Sequence, residues 1–290
     1  MIDRTQGEGI SAMHQEAPIW IVTGDYGRAT VNVTDRALVE HAHQQFNMLF
    51  MLGGADTVFR SGSCDLLLDA STVILFNPWV PHLKLANDGK PTTILSLVIE
   101  AEWIDRVLER RGLRAGLVFP HVVESMKPCV QRAAERLAGA ISRGLLDNGE
   151  DRELPLIELI DAVVAAYIVP ETATVTASGR PIDFRIRKAI AYIHDHALEN
   201  PRIEEIARVV GLSRSRFFEQ FRNCVGVSPR HYVDHIRMRA AMHWLSATER
   251  SLVEVADELG FGAHSNFTRF FAQHMAVSPS EYRRQTHSLG

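Results

Sequence analysis

The sequence predicts an α+β chain: an N-terminal β-barrel with flanking helices, then an all-α domain of two tandem helix-turn-helix units joined by a long helix. Three observations predict it. Short β-rich runs separated by turn residues occupy residues 20–99. Apolar residues then recur at spacings of three and four, the period of one helix face. Residues 203–286 contain the same helical unit twice. With 290 residues, the chain has room for about two domains at ~150 residues each.

The strand expectation rests on Trp20–Val22, Ala29–Val33, Phe46–Leu52, Asp56–Phe59, Asp65–Leu68, Thr72–Phe76 and Thr92–Ile99. Between them stand Gly53-Gly54, Ser61-Gly62-Ser63, Asn77-Pro78 and Asn87-Asp88-Gly89, residues that favour turns. The first helical stripe starts at Trp103, Val107 and Leu108. A second runs from Val130 through Leu137 to Ile141, and a third from Leu156 through Ile160 to Tyr167. The latter two stripes are wide enough to serve self-association or to cover the barrel. Pro170 to Pro181 is Thr-rich and aperiodic, as expected of a linker. The expected domains are therefore 1–169 and 182–290, with 170–181 between them.

The repeat is explicit. At an offset of 49, Glu205/Glu254, Ala207/Ala256 and Gly211/Gly260 coincide. At an offset of 50, Ser215/Ser265, Phe217/Phe267, Phe221/Phe271, Val227/Val277, Ser228/Ser278, Pro229/Pro279 and Tyr232/Tyr282 follow. In each copy a helix ends at a glycine able to adopt the left-handed conformation. An alanine one turn earlier leaves room for a second helix to cross closely, as in a helix-turn-helix. Ser213 is the expected cap of the second helix of copy one, Arg214–Asn223. Phe217 and Phe221 face inward there, as Phe267 and Phe271 do in copy two. Ser251-x-x-Glu254 and Ser278-x-x-Glu281 are capping boxes. Pro229 and Pro279 stand at first helical positions, where a missing N–H costs nothing. The helix Pro229–Leu245, with Arg230, Arg237 and Arg239, separates the units; if both second helices enter the same face of a duplex, they would sit in successive major-groove segments about 34 Å apart.

The net charge of −4 argues at first against nucleic acid, because duplex binders usually present a basic surface. The total conceals a split. Residues 1–180 hold 16 basic and 23 acidic side chains, a net of −7. Residues 181–290 hold 15 and 12, a net of +3. The composition, 46% hydrophobic and 23% charged, excludes a disordered chain. No apolar run approaches the ~18 residues of a membrane span, and the N-terminus lacks the apolar core of a signal peptide. Cys64, Cys129 and Cys224 are too few and too scattered for a disulfide framework or a CxxC zinc site. They are expected to be buried free thiols in a reducing cytoplasm.

Residues Asp183–Arg284 resemble the AraC-type family of bacterial transcription regulators. The likeness is carried by Val255-Ala-Asp-Glu-Leu-Gly-Phe261, Phe267-Thr-Arg-Phe-Phe271 and Val277-Ser-Pro-Ser-Glu-Tyr-Arg283. It implies two units reading adjacent major grooves of promoter DNA, activation of transcription, and RNA polymerase as a partner. Matched position by position, Arg214, Ser215, Arg216, Glu219 and Arg222 lie on one reading helix, and His264, Ser265, Asn266, Thr268 and Arg269 on the other. Glu219 suits a cytosine amino group and Arg269 a guanine, while Arg216, Arg222 and the linker-helix arginines suit phosphates. Two positions depart from the family pattern. Arg202 stands where a Ser or Thr cap is common, and Gly262-Ala263 replaces a Ser-rich turn, which weakens the second unit's cap.

His41-Ala-His43, Asn47, Gly54 and Pro78-Trp-Val-Pro-His82 resemble a cupin barrel. That likeness puts both His of His-x-His on one strand face pointing inward, with a third His from a later strand. Enzyme-type cupins carry glutamate where this chain has Asn47. Three readings stay open for His41, His43 and His82: the wall of a pocket for a small organic effector, a divalent-metal site, or structural residues without a ligand. For the first, Phe46, Met48, Asn47 and Trp79 join the three His as candidate wall. The expected protein is a cytoplasmic, effector-modulated, dimeric regulator with no catalytic residues, no cofactor and no membrane partner. Its rivals are a metal-dependent cupin enzyme with an accessory DNA module and a thiol-based stress regulator.

Overall fold

A computed structural model describes residues 18–110, 112, 116–145, 153–168 and 183–287; the expected linker at 170–181 lies outside them. Its N-terminal part holds two antiparallel sheets. The larger has the order β1-β2-β9-β4-β7-β10, from Ile19–Gly24, Gly27–Thr34, Thr92–Ile99, Phe46–Gly54, Thr72–Phe76 and Val123–Ser125. The smaller has the order β3-β8-β5-β6, from Leu38–His41, His82–Lys84, Thr57–Ser61 and Cys64–Leu68. Side chains alternate across a strand, and β4 shows the consequence. Phe46, Met48 and Phe50 join the core beneath the helices, while Leu49 packs between the sheets with Phe59, Leu68 and Ile74.

Helices α1 (Ala101–Arg110), α2 (Pro128–Ser142) and α3 (Leu154–Tyr167) cover the outer face of the large sheet. The apolar stripes of α2 and α3 are buried against it, so of the two uses open to those stripes the structure shows the covering one. Pro128 starts α2, where no N–H is required.

The C-terminal part is all helical: α4 (Phe184–His196), a 3-10 turn (Ala197–Glu199), α5 (Ile203–Val209), α6 (Arg214–Val225), α7 (Pro229–Ala247), α8 (Leu252–Glu258), α9 (His264–Met275) and α10 (Pro279–His287). Unit one buries Ile206, Ala207, Phe217 and Phe221 with the inner face of α4. Unit two buries Val255, Ala256, Phe267 and Phe271. In both, the repeated tyrosine lies edge-on to the second phenylalanine, Tyr232 on Phe221 at 5.5 Å and Tyr282 on Phe271 at 5.3 Å.

The expected caps form. Ser213, Ser228, Ser251 and Ser278 accept from Arg216, His231, Glu254 and Glu281 N–H groups. Where Arg202 replaces the usual cap, the Glu205 carboxylate accepts from the Arg202 backbone N–H at 3.0 Å. Gly260 has φ +68, and a Cβ there would sit 2.5 Å from the Leu198 carbonyl oxygen. Unit two is thereby pressed onto the 3-10 turn as only glycine permits.

Three expectations need correction. Arg237 is no phosphate contact: it is fully buried, donating to Asn200 Oδ1 at 3.1 Å and Leu259 O at 2.6 Å, with its guanidinium 4.1 Å above the Phe261 ring. Seven residues is about two helical turns, so Arg237 lies on the same side of α7 as the exposed Arg230, but further along, where unit two covers it. The three cysteines are exposed rather than buried, because their strand and helix positions face solvent. His43 lies beyond the end of β3, so the His-x-His pair does not share a strand; a register shift between Leu38 and His41 turns the chain there.

The two parts pack on each other. Ile19 and Ile21 of β1 enter the core of unit two beside Met238, Ala241 and Leu245, while Trp20 and Val22 on the opposite face pack with the N-terminal core. Trp79, at φ +64, stacks on Tyr232 of α7 at 5.1 Å. Glu40 and His231 approach to 3.5 Å.

Candidate nucleic-acid interface and interdomain cavity

The two second helices of the repeats present polar faces to solvent. On α6, Arg214, Ser215, Arg216, Glu219 and Arg222 are all exposed, opposite the buried Phe217 and Phe221. Glu204 of α5 holds Arg214 at 2.7 Å. On α9, His264, Ser265, Asn266 and Arg269 are exposed and Thr268 is half-buried. Arg269 donates to Asn266 Oδ1 at 3.0 Å, which sets its fork at the surface. Ala263 gives α9 no side-chain cap, as the Gly262-Ala263 substitution implied. Sequence reasoning passed over Phe218, which is 41% exposed among the polar residues of α6. Its signal was the register with Thr268, since an apolar side chain on that face suits a thymine methyl.

Between the two sheets lies a cavity of about 590 Å³ that continues to α7, α9 and α10. His41, His43, Asn47 and His82 line it. Phe46 and Trp79 do not. Phe46 is one residue out of phase with Asn47 on β4 and faces the helices, edge-on to Phe119, and Met48 does the same. Trp79 is drawn out to Tyr232.

The three imidazoles are held in one tautomer. Each Nδ1 faces a backbone carbonyl two residues away: Val39 for His41, Gln45 for His43 and Val80 for His82, at 2.8–3.0 Å. The N–H therefore sits on Nδ1, and Nε2 presents a lone pair to the cavity. Burial, reinforced by the neighbouring His rings, holds His41 and His43 well below the usual imidazole range and pushes His82 down to about 3. All three are neutral acceptors at pH 7. One ring nitrogen of each lies within 4.8 Å of the others, close enough to share a divalent ion. However, the Nε2 of His82 already accepts from Asn47 Nδ2 at 3.1 Å, and Ser96 donates to Asn47 Oδ1. A metal would have to displace Asn47. Glutamate at this position would add a ligand; asparagine occupies one.

A helix-turn-helix domain family matches residues 206–285. The chain is 30% identical over 102 residues to the transcriptional activator RhaS of Enterobacter sp., and 32% identical over 115 residues to the regulatory protein PocR of Salmonella typhimurium. The C-terminal part is thus similar to the helix-turn-helix domains of bacterial transcription regulators. These matches span 35% and 40% of the chain, and only 37% and 38% of RhaS and PocR. Over nearly the whole chain the fold is similar to that of ToxT from Vibrio cholerae, with a TM-score of 0.55 at 16% identity across 89% of this chain and 97% of that one. Another ToxT structure, with a TM-score of 0.52, is described as bound to an unsaturated fatty acid.

Within the AraC-type frame, α6 and α9 are the helices that the family resemblance assigned to base reading. The cavity adds residues that no sequence motif announced: Arg28 of β2, Met242 of α7, and His274 and Met275 at the C-terminal end of α9. The His274 ring lies 6.1 Å from that of His41. More than 200 positions separate these partners, and the packing of the N-terminal strands on unit two brings them together.

Proposed function

We propose that this chain is a sequence-specific, promoter-binding transcription activator whose DNA binding is set by a small molecule in the interdomain cavity. It works without catalysis, in the cytoplasm, as a homodimer that contacts RNA polymerase. The observation that carries this reading is the pair of exposed polar faces on α6 and α9, held apart by α7. At 1.5 Å per residue, the 19 residues of α7 measure about 28 Å, which suits two entries into one face of a duplex. The fatty acid named with ToxT, a chain of similar fold, supports a small-molecule ligand. Among the described residues no helix is long and apolar enough to cross a membrane, which fits a DNA-binding role.

Selecting bound sequences from a random duplex library with the full chain tests the DNA reading. Two conserved boxes about one helical turn apart are expected, and no enrichment overturns it. Leu49→Trp, which fills the cavity, should abolish the effector response while operator binding persists.

A second reading, a divalent-metal site in a cupin-like sensor, is favoured by the convergence of His41, His43 and His82. Stoichiometric metal in the purified protein, lost in His41→Ala, would establish it. The thiol alternative predicts that replacing Cys64, Cys129 and Cys224 by Ser removes induction; the proposal predicts no change.

A further inference from the structure

Arg28 is a cation without an anion. From β2 it reaches the seam between the parts, where its Nη1 donates to two thioether sulfurs, Met242 Sδ on α7 at 2.9 Å and Met275 Sδ on α9 at 3.1 Å. Its Nε is fully enclosed and has no acceptor. Its guanidinium also donates to the Tyr282 hydroxyl of α10, a neutral acceptor. Among the described residues no carboxylate forms an ion pair with Arg28. Of the carboxylates lining the same cavity, Glu100 accepts from Gln45 at 2.8 Å, and Asp234 pairs Oδ2 with Arg230 at 2.9 Å while its Oδ1 has no hydrogen-bond partner; neither reaches Arg28. Lys84, the other enclosed cation among the cavity-lining residues, has its ammonium on the Arg36 and Leu85 carbonyls.

A guanidinium carries five N–H donors, and a thioether is a weak acceptor. Enclosing the one against the other leaves most of the desolvation cost uncompensated. A carboxylate offers a planar pair of oxygens that matches the fork and binds about twice as strongly as a neutral acceptor. Leu49, Phe59, Ile94 and Met238 supply apolar wall to the same cavity, whose volume of about 590 Å³ suits a small organic ligand.

We propose that the cavity takes an organic carboxylate with an apolar body, anchored on Arg28. Binding exchanges the two thioether contacts for the anion and so loosens the hold of the sensor on α7 and α9. This rests on the effector reading above and gives it a ligand class and a direction.

The test is calorimetric titration of the full chain with octanoate and phenylacetate against their uncharged amides. The acids should bind at least tenfold more tightly than the amides. Arg28→Gln should remove that preference, and Arg28→Lys should keep part of it, with melting curves confirming that both variants fold. Met242→Leu combined with Met275→Leu should tighten acid binding severalfold, because Arg28 then has no thioether to leave. Equal affinity for acids and amides overturns the anion anchor and leaves the cavity reading standing. Failure of all four compounds to bind also overturns it, and the Leu49→Trp result then decides separately whether the effector reading survives. An unchanged acid affinity in the double methionine variant overturns the exchange.

Discussion

Replacing Arg237 by Met separates two roles that an arginine on the connecting helix can have. The side chain keeps similar bulk but loses the hydrogen bonds to Leu259 O and Asn200 Oδ1 and the cation above Phe261. Hydrogen bonds from a charged donor contribute roughly 1.5–3 kcal/mol each, and a desolvated cation–π contact contributes about 2 kcal/mol. The loss is therefore roughly 5–8 kcal/mol. Against it stands the cost of holding a guanidinium out of water. Burial pulls the Arg237 pKa from 12.5 to about 10, which corresponds to about 3 kcal/mol at 1.36 kcal/mol per unit. The net destabilisation is on the order of 3 kcal/mol, read as a lower urea midpoint for the full chain. Operator affinity measured against salt should keep its slope, because a fully buried guanidinium neutralises no phosphate. A phosphate contact would contribute about 0.9 to that slope. An unchanged midpoint with a slope smaller by about 0.9 would refute the structural role.

The remaining predictions address the reading face, the turn and the cavity. Arg269→Ala should weaken specific binding by about 1–3 kcal/mol and relax preference at one base pair; an equal loss on all sequences in a competition assay would make it a phosphate contact. Gly211→Ala and Gly260→Ala both force alanine to a positive φ, at about 1–2 kcal/mol. Gly260→Ala should cost clearly more in urea unfolding, since its Cβ meets the Leu198 carbonyl while Gly211 faces open space. His82 is neutral in the folded protein down to about pH 3, against ~6.5 when unfolded. Its contribution is complete above pH 6.5 and declines as pH falls toward 3, because the unfolded chain takes up the proton first. At pH 5 that amounts to about 2 kcal/mol, with His41 and His43 acting in the same direction. The melting temperature should drop between pH 7.5 and 5.0, and drop less in His82→Gln; a flat profile would contradict the buried neutral triad.

The C-terminal part was legible because its signals are local. A cap, a glycine and a pair of phenylalanines four apart each declare a piece of one helix or turn, and the repeat states them twice. The strands β3, β8 and β10 were not legible: they have three or four residues and exist only through their partners. The three cavity histidines were legible as a group, but their neighbours were not. The alternation along β4 does state that Phe46 and Asn47 face opposite ways, so the Phe46 expectation contradicted a signal already in the sequence. Nothing in the spacing of Arg230, Arg237 and Arg239 tells which turn of α7 lies beneath unit two. Arg28 stands one residue before the expected strand Ala29–Val33, with no motif to mark it.

The position of the cavity decides which reading helix a ligand affects. Ile19 and Ile21 of the sensor share a core with unit two, whereas unit one meets the sensor through surface pairs such as Trp79 on Tyr232. Helix α9 has one end at the cavity, with His274 and Met275, and at its other end the exposed His264, Ser265 and Arg269 that the proposed reading places on DNA. Its 12 residues measure about 18 Å. A packed helix moves as a body, so a change at Met275 is delivered to the base-reading end. A ligand can shift the arrangement only by the difference in its affinity for the two states. One that exchanges weak thioether contacts for a charged pair has such a difference built into its anchor. Unit two is accordingly the half of the DNA-binding domain that a ligand displaces first, and contacts to its box should respond to the ligand before those of unit one.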